Sequence, residues 1–254
     1  ALPAASAIEL IHNFSLVHDD IEDNSATRRH RPTVWSLWGI AQGINTGDTM
    51  WVISRLSTLR LAKEGYDAET VLAIVRLLDE TCLALCTGQY LDIRFESADS
   101  VTMAEYDSMV AGKTAALLSA SLAVGALLGG ADESATQRYA GFGRELGITF
   151  QIVDDVLGIW GDPAVTGKSA ASDLLEKKKT APILYALEWE RQRGYEDLQG
   201  VYSQPALTEQ DIPDILALLE RAGAREAIKL QVREHQERTL AYLEPLGSGN
   251  AAQQ

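Results

Sequence analysis

Asp19, Asp20 and Asp23 close the stretch "LVHDDIED", and Asp154 with Asp155 closes "FQIVDD". In a helix, positions i and i+4 lie one turn apart on one face, so Asp19 and Asp23 point the same way with Asp20 beside them. Carboxylates grouped in this way repel one another unless a cation neutralises them. Oxygen-only donors suit a hard ion such as Mg²⁺, which keeps several waters and is commonly shared with phosphate oxygens. Arg28, Arg29 and Arg31 follow the first cluster, and guanidinium forks match phosphate oxygens. Taken alone, the first cluster reads equally well as a solvated helix end with ordinary surface charge.

The second cluster shifts that balance. Asp154 and Asp155 end another apolar helical run, and Asp162, Lys168, Asp173 and Lys177, Lys178 and Lys179 follow them. Two acidic helix ends, each trailed by basic residues, predict a metal-lined cleft for an anion that needs both metals and cations, a diphosphate. Lys113 and Thr114, in "GKT", sit inside an apolar helical pattern. A lysine there either snorkels to the surface or enters the cleft.

Long helices must position these residues. Apolar residues recur at three- and four-residue spacing over 70–95, 104–129, 135–160, 173–193 and 211–246, and strand-like alternation is missing. Helices apolar over a broad face pack on one another, which predicts an all-α bundle. The chain has 254 residues, 46% of them hydrophobic, and no linker composition interrupts it. The expectation is one domain over 1–245 and a disordered tail over 246–254. A net charge of −14 argues against nucleic acid as a partner. Cys82 and Cys86 read as buried thiols in a reducing cytoplasm. The weakly polar run 116–131 is too short and too rich in Gly and Ser to span a bilayer, and no signal pattern is present. Because the chain opens at Ala1 inside an apolar helical pattern, N-terminal helices are expected to precede it.

In this order, "DDIEDNSATRR", "GQYLDIRFE", "YDSMVAGKTAALL", "FQIVDDVLGIWGD" and "GKSAASDLLEKKKT" resemble the polyprenyl synthetase family, the trans-isoprenyl diphosphate synthases, from Ala1 to near Pro245. The resemblance implies an antiparallel helix bundle around a deep central cavity (the isoprenoid synthase type I fold), usually a homodimer. It implies an Mg²⁺-dependent condensation of isopentenyl diphosphate with an allylic diphosphate. Asp19, Asp20, Asp23 and Asp154 then match metal ligands, with Asp155 beside them in the catalytic motif. Arg28, Lys113, Lys168 and Lys178 match contacts to the allylic diphosphate, and Arg29 matches a contact to isopentenyl diphosphate. Thr114 and Gln151 match positions whose oxygen dipoles face the allylic cation.

The sequence departs from the family pattern in three places. Gly158 replaces the last aspartate of the second DDxxD, with Asp162 expected as a partial substitute. His30 stands where Gly is common and is expected to be a neutral surface change. The Gly-Gly-Lys-Arg segment that helps bind isopentenyl diphosphate is absent from the sequence. Phe14, five positions before Asp19 with the smaller Ser15 next to it, resembles the tail-floor arrangement of twenty-carbon geranylgeranyl synthases, although core packing explains the ring equally well. The alternatives are a farnesyl diphosphate synthase, a class I terpene cyclase and a non-catalytic partner subunit of a hetero-oligomeric synthase.

Overall fold

The computed structural model describes residues 1–162 and 172–246. Lys168 lies outside the described residues, as does the expected tail beyond Leu246. The chain runs through α1 (Leu2–Glu22), a hairpin of β1 (Thr27–Arg28) and β2 (Arg31–Pro32), α2 (Val34–Trp38), α3 (Ile40–Leu59), α4 (Ala68–Ser97), α5 (Met103–Val110), α6 (Ala116–Leu128) and α7 (Glu133–Trp160). After the undescribed segment come α8 (Ser172–Leu175), α9 (Ala181–Arg193), α10 (Asp197–Tyr202), α11 (Ile212–Arg221) and α12 (Ala224–Leu243). The expected all-α class is observed among the described residues, with the hairpin as a small addition. They fall into two compact units, 1–85 with 117–140, and 86–116 with 141 onward.

In the first unit, α1 opens with Pro3 in its first turn, where a missing N–H costs nothing. Ala4, Ala7, Ile11 and Phe14 form one stripe of α1 and share a core with Val71, Ile74, Leu78, Cys82 and Leu85 of α4 and Ala120 and Val124 of α6. Helix α3 packs along α1 through Gly43, Gly47, Ser54, Ser57 and Thr58, which are its buried residues. The Ser57 hydroxyl donates to the Pro3 carbonyl at 2.9 Å. Small residues let the two backbones approach, so the end of α1 that carries the aspartates is held along its whole length.

The second unit has two cores. One gathers Phe95, Tyr106, Met109, Val110, Ala115, Ile148, Ile152, Ala181, Leu184 and Ile228. The other joins Ile159, Leu174, Ile183, Leu198, Ile215 and Leu219. A capping box of Thr102 and Glu105 starts α5, which satisfies two orphan N–H groups. Between α5 and α6 lies a π-helical turn, Ala111–Ala115. Such turns insert one residue per bulge and are frequent at functional sites; this one carries Lys113 and Thr114. At Gly88 an added Cβ would stand 2.1 Å from the Lys113 backbone nitrogen, so only glycine lets α4 pass this close to the turn.

Met103–Leu128 is one continuous helical stretch of 26 residues with mean hydropathy reaching 1.5. By length and composition it could cross a membrane, which reading 116–131 in isolation missed. Its Tyr106, Val110 and Ala115 are buried in the second unit and its Ala120 and Val124 in the first. The expected helix over 173–193 is interrupted between α8 and α9, and that over 211–246 breaks at Gly223, whose φ of 66° is left-handed.

Candidate functional site

Helix α1 ends at Glu22, and Asp23 caps it with φ −83° and ψ 0°. The chain then reverses through the hairpin, whose register pairs Thr27 with Pro32 and Arg28 with Arg31. Arg29 and His30 form its two-residue loop with φ of 50° and 61°, the pattern of a type I′ turn, which favours Asn and Gly. His30 is therefore exposed but not neutral: a side chain sits where glycine carries no steric penalty. The hairpin folds Arg28 back over α1. Its Nε donates to Asp20 Oδ1 at 2.7 Å and its Nη2 to Asp19 Oδ2 at 3.0 Å. Burial alone would lower the Arg28 guanidinium, but the hydrogen bond and charge of Asp20, with Asp19 adding, hold it above its ordinary value.

Asp20 is buried, Asp19 is half-buried and Asp23 and Arg29 are exposed. Among the described residues no three acidic, histidine or cysteine side chains converge as a ready-made metal cage. Asp19, Asp20 and Asp23 in the first unit offer only oxygen donors, the chemistry that fits a hard divalent cation. Phe14 is buried in the α1 core stripe, with its ring edge-on to His18 at 5.9 Å. Ser15 is half-buried and donates to the His12 carbonyl at 2.8 Å.

In the second unit, consecutive aspartates on α7 diverge. Asp154 is half-buried, while Asp155 is only 5% exposed. Asp155 Oδ2 accepts from the Tyr106 hydroxyl at 2.6 Å and the Ala181 N–H at 2.9 Å, and Oδ1 accepts from Gln151 Nε2 at 3.0 Å. Burial pushes the Asp155 carboxyl up to about 6, with these three hydrogen bonds opposing and Asp173 adding to the rise. The same carboxylate caps α9, whose own N-cap Thr180 supplies no side-chain bond and keeps a buried, unpartnered hydroxyl. One turn before Asp155, Gln151 Oε1 accepts from the Thr114 hydroxyl at 2.8 Å. Lys113 in the same π turn pairs with Asp92 of α4. Tyr106 and Asp92 thus contact candidate site residues, and the sequence reading did not single them out.

The departure at Gly158 has a steric cause. A Cβ there would lie 1.9 Å from Asp173 Oδ2, and Asp173 is itself buried. It is Asp173 of α8, rather than Asp162, whose carboxylate fills the space beside the fifth motif position. Asp162 is exposed just past the end of α7. The three lysines that read as one basic run separate. Lys177 donates to the Gln204 carbonyl, and Lys178 lies 3.7 Å from Asp173 and 2.9 Å from Glu176. Lys179 donates to the Phe95 and Ala98 carbonyls at the end of α4, and burial followed by repulsion from Lys177 lowers its pKa.

Comparison with known proteins places these elements in a group. The polyprenyl synthetase family model matches residues 1–219. A geranylgeranyl diphosphate synthase of Mycobacterium tuberculosis (strain ATCC 25618 / H37Rv) is 42% identical over 224 residues, covering 88% of this chain and 63% of that protein. A (2E,6E)-farnesyl diphosphate synthase of Mycobacterium bovis (strain ATCC BAA-935 / AF2122/97) is 41% identical over 244 residues, covering 92% and 65%. The chain therefore spans just under two thirds of the length of these relatives. The crystal structure of a polyprenyl synthetase from Streptomyces coelicolor A3(2) superimposes with a TM-score of 0.86 at 37% identity, over 96% of this chain and 72% of that one.

Proposed function

The chain belongs to the polyprenyl synthetase family, and we propose that it condenses isopentenyl diphosphate with an allylic diphosphate, through a single synthase domain over 1–245, to make a short-chain trans-prenyl diphosphate. The observation that carries this reading is the Arg28 clasp on Asp19 and Asp20. Two adjacent carboxylates stay together beside a phosphate-matching guanidinium, an arrangement with little use in a purely structural bundle.

Mg²⁺ bound by Asp19, Asp20, Asp23 and Asp154 would supply charge neutralisation for a leaving diphosphate. The chain's own residues do the rest in this reading. Arg28, Lys113, Lys168 and Lys178 hold the allylic diphosphate, and Arg29 holds isopentenyl diphosphate. The allylic carbon–oxygen bond breaks with its electron pair leaving on diphosphate. The double bond of isopentenyl diphosphate then adds to the cation, and a proton leaves to the expelled diphosphate. The oxygens of Thr114 and Gln151 face the positive carbon, where fixed dipoles act strongly in a water-excluded pocket. No protein nucleophile is required.

Twenty-carbon geranylgeranyl diphosphate is the product we favour, on Phe14 as the single aromatic five positions before Asp19. The farnesyl synthase relative supports fifteen carbons as the second reading. The reaction fits the cytoplasm, in keeping with two cysteines outside any disulfide: Cys82 is buried as expected, whereas Cys86 is exposed. A homodimer completes the proposal. Ile44, Val52, Ile53 and Leu56 of α3 and Leu72 and Leu83 of α4 are exposed, and a second copy would cover them. Light scattering that shows a monomer at micromolar concentration would remove the dimer.

The activity is tested by incubating the protein with Mg²⁺ and dimethylallyl, geranyl or farnesyl diphosphate, with and without isopentenyl diphosphate, and reading products by mass. Elongation that requires isopentenyl diphosphate is expected. A hydrocarbon formed from the allylic substrate alone would identify a terpene cyclase, and inactivity with every pair would point to a partner subunit.

A further inference from the structure

Asp155 is next to a residue read as a metal ligand, yet its three hydrogen bonds run away from that role and into the core. Their directions have a chemical consequence. A carboxylate only accepts hydrogen bonds. With the Tyr106 hydroxyl and the Ala181 N–H both aimed at Oδ2, Oδ1 is left to face Gln151. The Gln151 group turned toward it must therefore be the amide NH₂, as found at 3.0 Å. That fixes which end of the amide faces Thr114: the carbonyl Oε1, 2.8 Å from the threonine oxygen. Oε1 carries no hydrogen, so the proton between the two groups is the threonine's own. The Thr114 hydroxyl is thereby spent on Gln151, and its lone pairs are left as the free side of the group.

We propose that Asp155 and Tyr106 are positioning residues, which set the polarity of the Gln151 amide and so turn the lone pairs of Thr114, rather than its proton, toward the reacting centre. This rests on the prenyl-transfer reading, in which that centre is an allylic cation. A hydroxyl that presented its proton would repel such a cation, and one that presents oxygen stabilises it. The chain of bonds passes from the N-terminus of α9 through α5 and α7 to the π turn, all within the second unit. Tyr106 is 1% exposed and Asp155 5%, so the bonds of Tyr106 and Ala181 to Asp155 are shielded from water, and a buried anchor of this kind holds one arrangement of the half-buried Gln151 and Thr114.

Asp155→Asn tests the polarity directly. Its amide oxygen must take the Oδ2 place facing the two donors, so its NH₂ faces Gln151. Gln151 must then reverse, and Thr114 must turn its proton outward. The expected result is a kcat at least about a hundredfold lower, which is the size of one lost transition-state dipole. KM for both diphosphates and the half-saturating Mg²⁺ concentration should stay within about twofold. Gln151→Glu in the same chain restores an acceptor facing both Asn and Thr114, so Q151E/D155N should regain at least about tenfold in kcat over D155N, while Q151E alone stays low. Tyr106→Phe should lower kcat about fivefold with KM unchanged.

Thermal melting gives a readout independent of turnover. D155N and Q151E should each lower Tm by about 3–8 °C, and the double variant should recover at least half of that loss. An Mg²⁺ requirement raised in D155N by as much as in a parallel D154N variant would make Asp155 a metal ligand and overturn the proposal. So would a double variant that recovers neither kcat nor Tm. A wild-type protein without prenyl transfer would instead sink the underlying reading, and the melting cycle would still decide the hydrogen-bond polarity.

Discussion

The carboxylate of Asp173 occupies the space beside Gly158, with its Oδ2 1.9 Å from where a Cβ at position 158 would stand. Asp154 and Gly158 share one face of α7 by their spacing of four. A carboxylate therefore lies one turn along from Asp154, delivered from α8 instead of from α7 itself. The missing motif aspartate and the buried Asp173 are two sides of one packing solution.

Gly158→Ala should then displace Asp173 and destabilise the protein by about 1–3 kcal/mol, as overpacking does. Gly158→Asp should be worse, because it adds a second carboxylate at the same spot. Combining Gly158→Asp with Asp173→Ala should recover most of the loss, and chemical denaturation of the three variants checks it. Additive effects would show that the two positions do not share this space.

Asp19→Ala and Asp154→Ala should each cut turnover by about a hundredfold or more, the scale of removing a group that stabilises charge in the transition state. Neither side chain belongs to a hydrophobic core, so the helical circular dichroism should be unchanged. Near-normal turnover in either variant would remove the metal-ligand role.

Arg29 is exposed at the tip of the hairpin loop, whereas Arg28 reaches back to Asp19 and Asp20. Arg29→Ala should mainly raise KM for isopentenyl diphosphate, as loss of a ground-state anion contact does. An effect confined to the allylic substrate, read in steady-state kinetics, would place Arg29 at the other diphosphate.

Much of this arrangement was legible in the sequence, and the failures have physical causes. Helices α4 and α7 followed from their apolar spacing because they bury large residues such as Ile74, Leu78 and Ile152. Helix α3 did not, because its pattern is inverted. It buries Gly43, Gly47, Ser54, Ser57 and Thr58 and exposes Ile44, Val52 and Leu56. Tyr106 reads as an ordinary core aromatic within an apolar run, and its acid partner lies 49 residues away. Asp92 and Lys113 are likewise 21 residues apart. The lysine run misled for a local reason: once the chain turns with Lys177 at a φ of 54°, three consecutive side chains leave in different directions.

Phe14→Ala should lengthen the product if the ring is the floor of the tail pocket. The substitution also opens the α1 core stripe, so a loss of about 3–5 kcal/mol in stability accompanies it. An unchanged product distribution from a folded, active variant would put chain-length control elsewhere.

The most direct test of prenyl transfer is the mass spectrum of products made from farnesyl diphosphate, ¹³C-labelled isopentenyl diphosphate and Mg²⁺. One labelled five-carbon unit added to the substrate, giving geranylgeranyl diphosphate, is the predicted result. A product that carries no label, or dimethylallyl, geranyl and farnesyl diphosphates all left unchanged beside an intact fold, would contradict it.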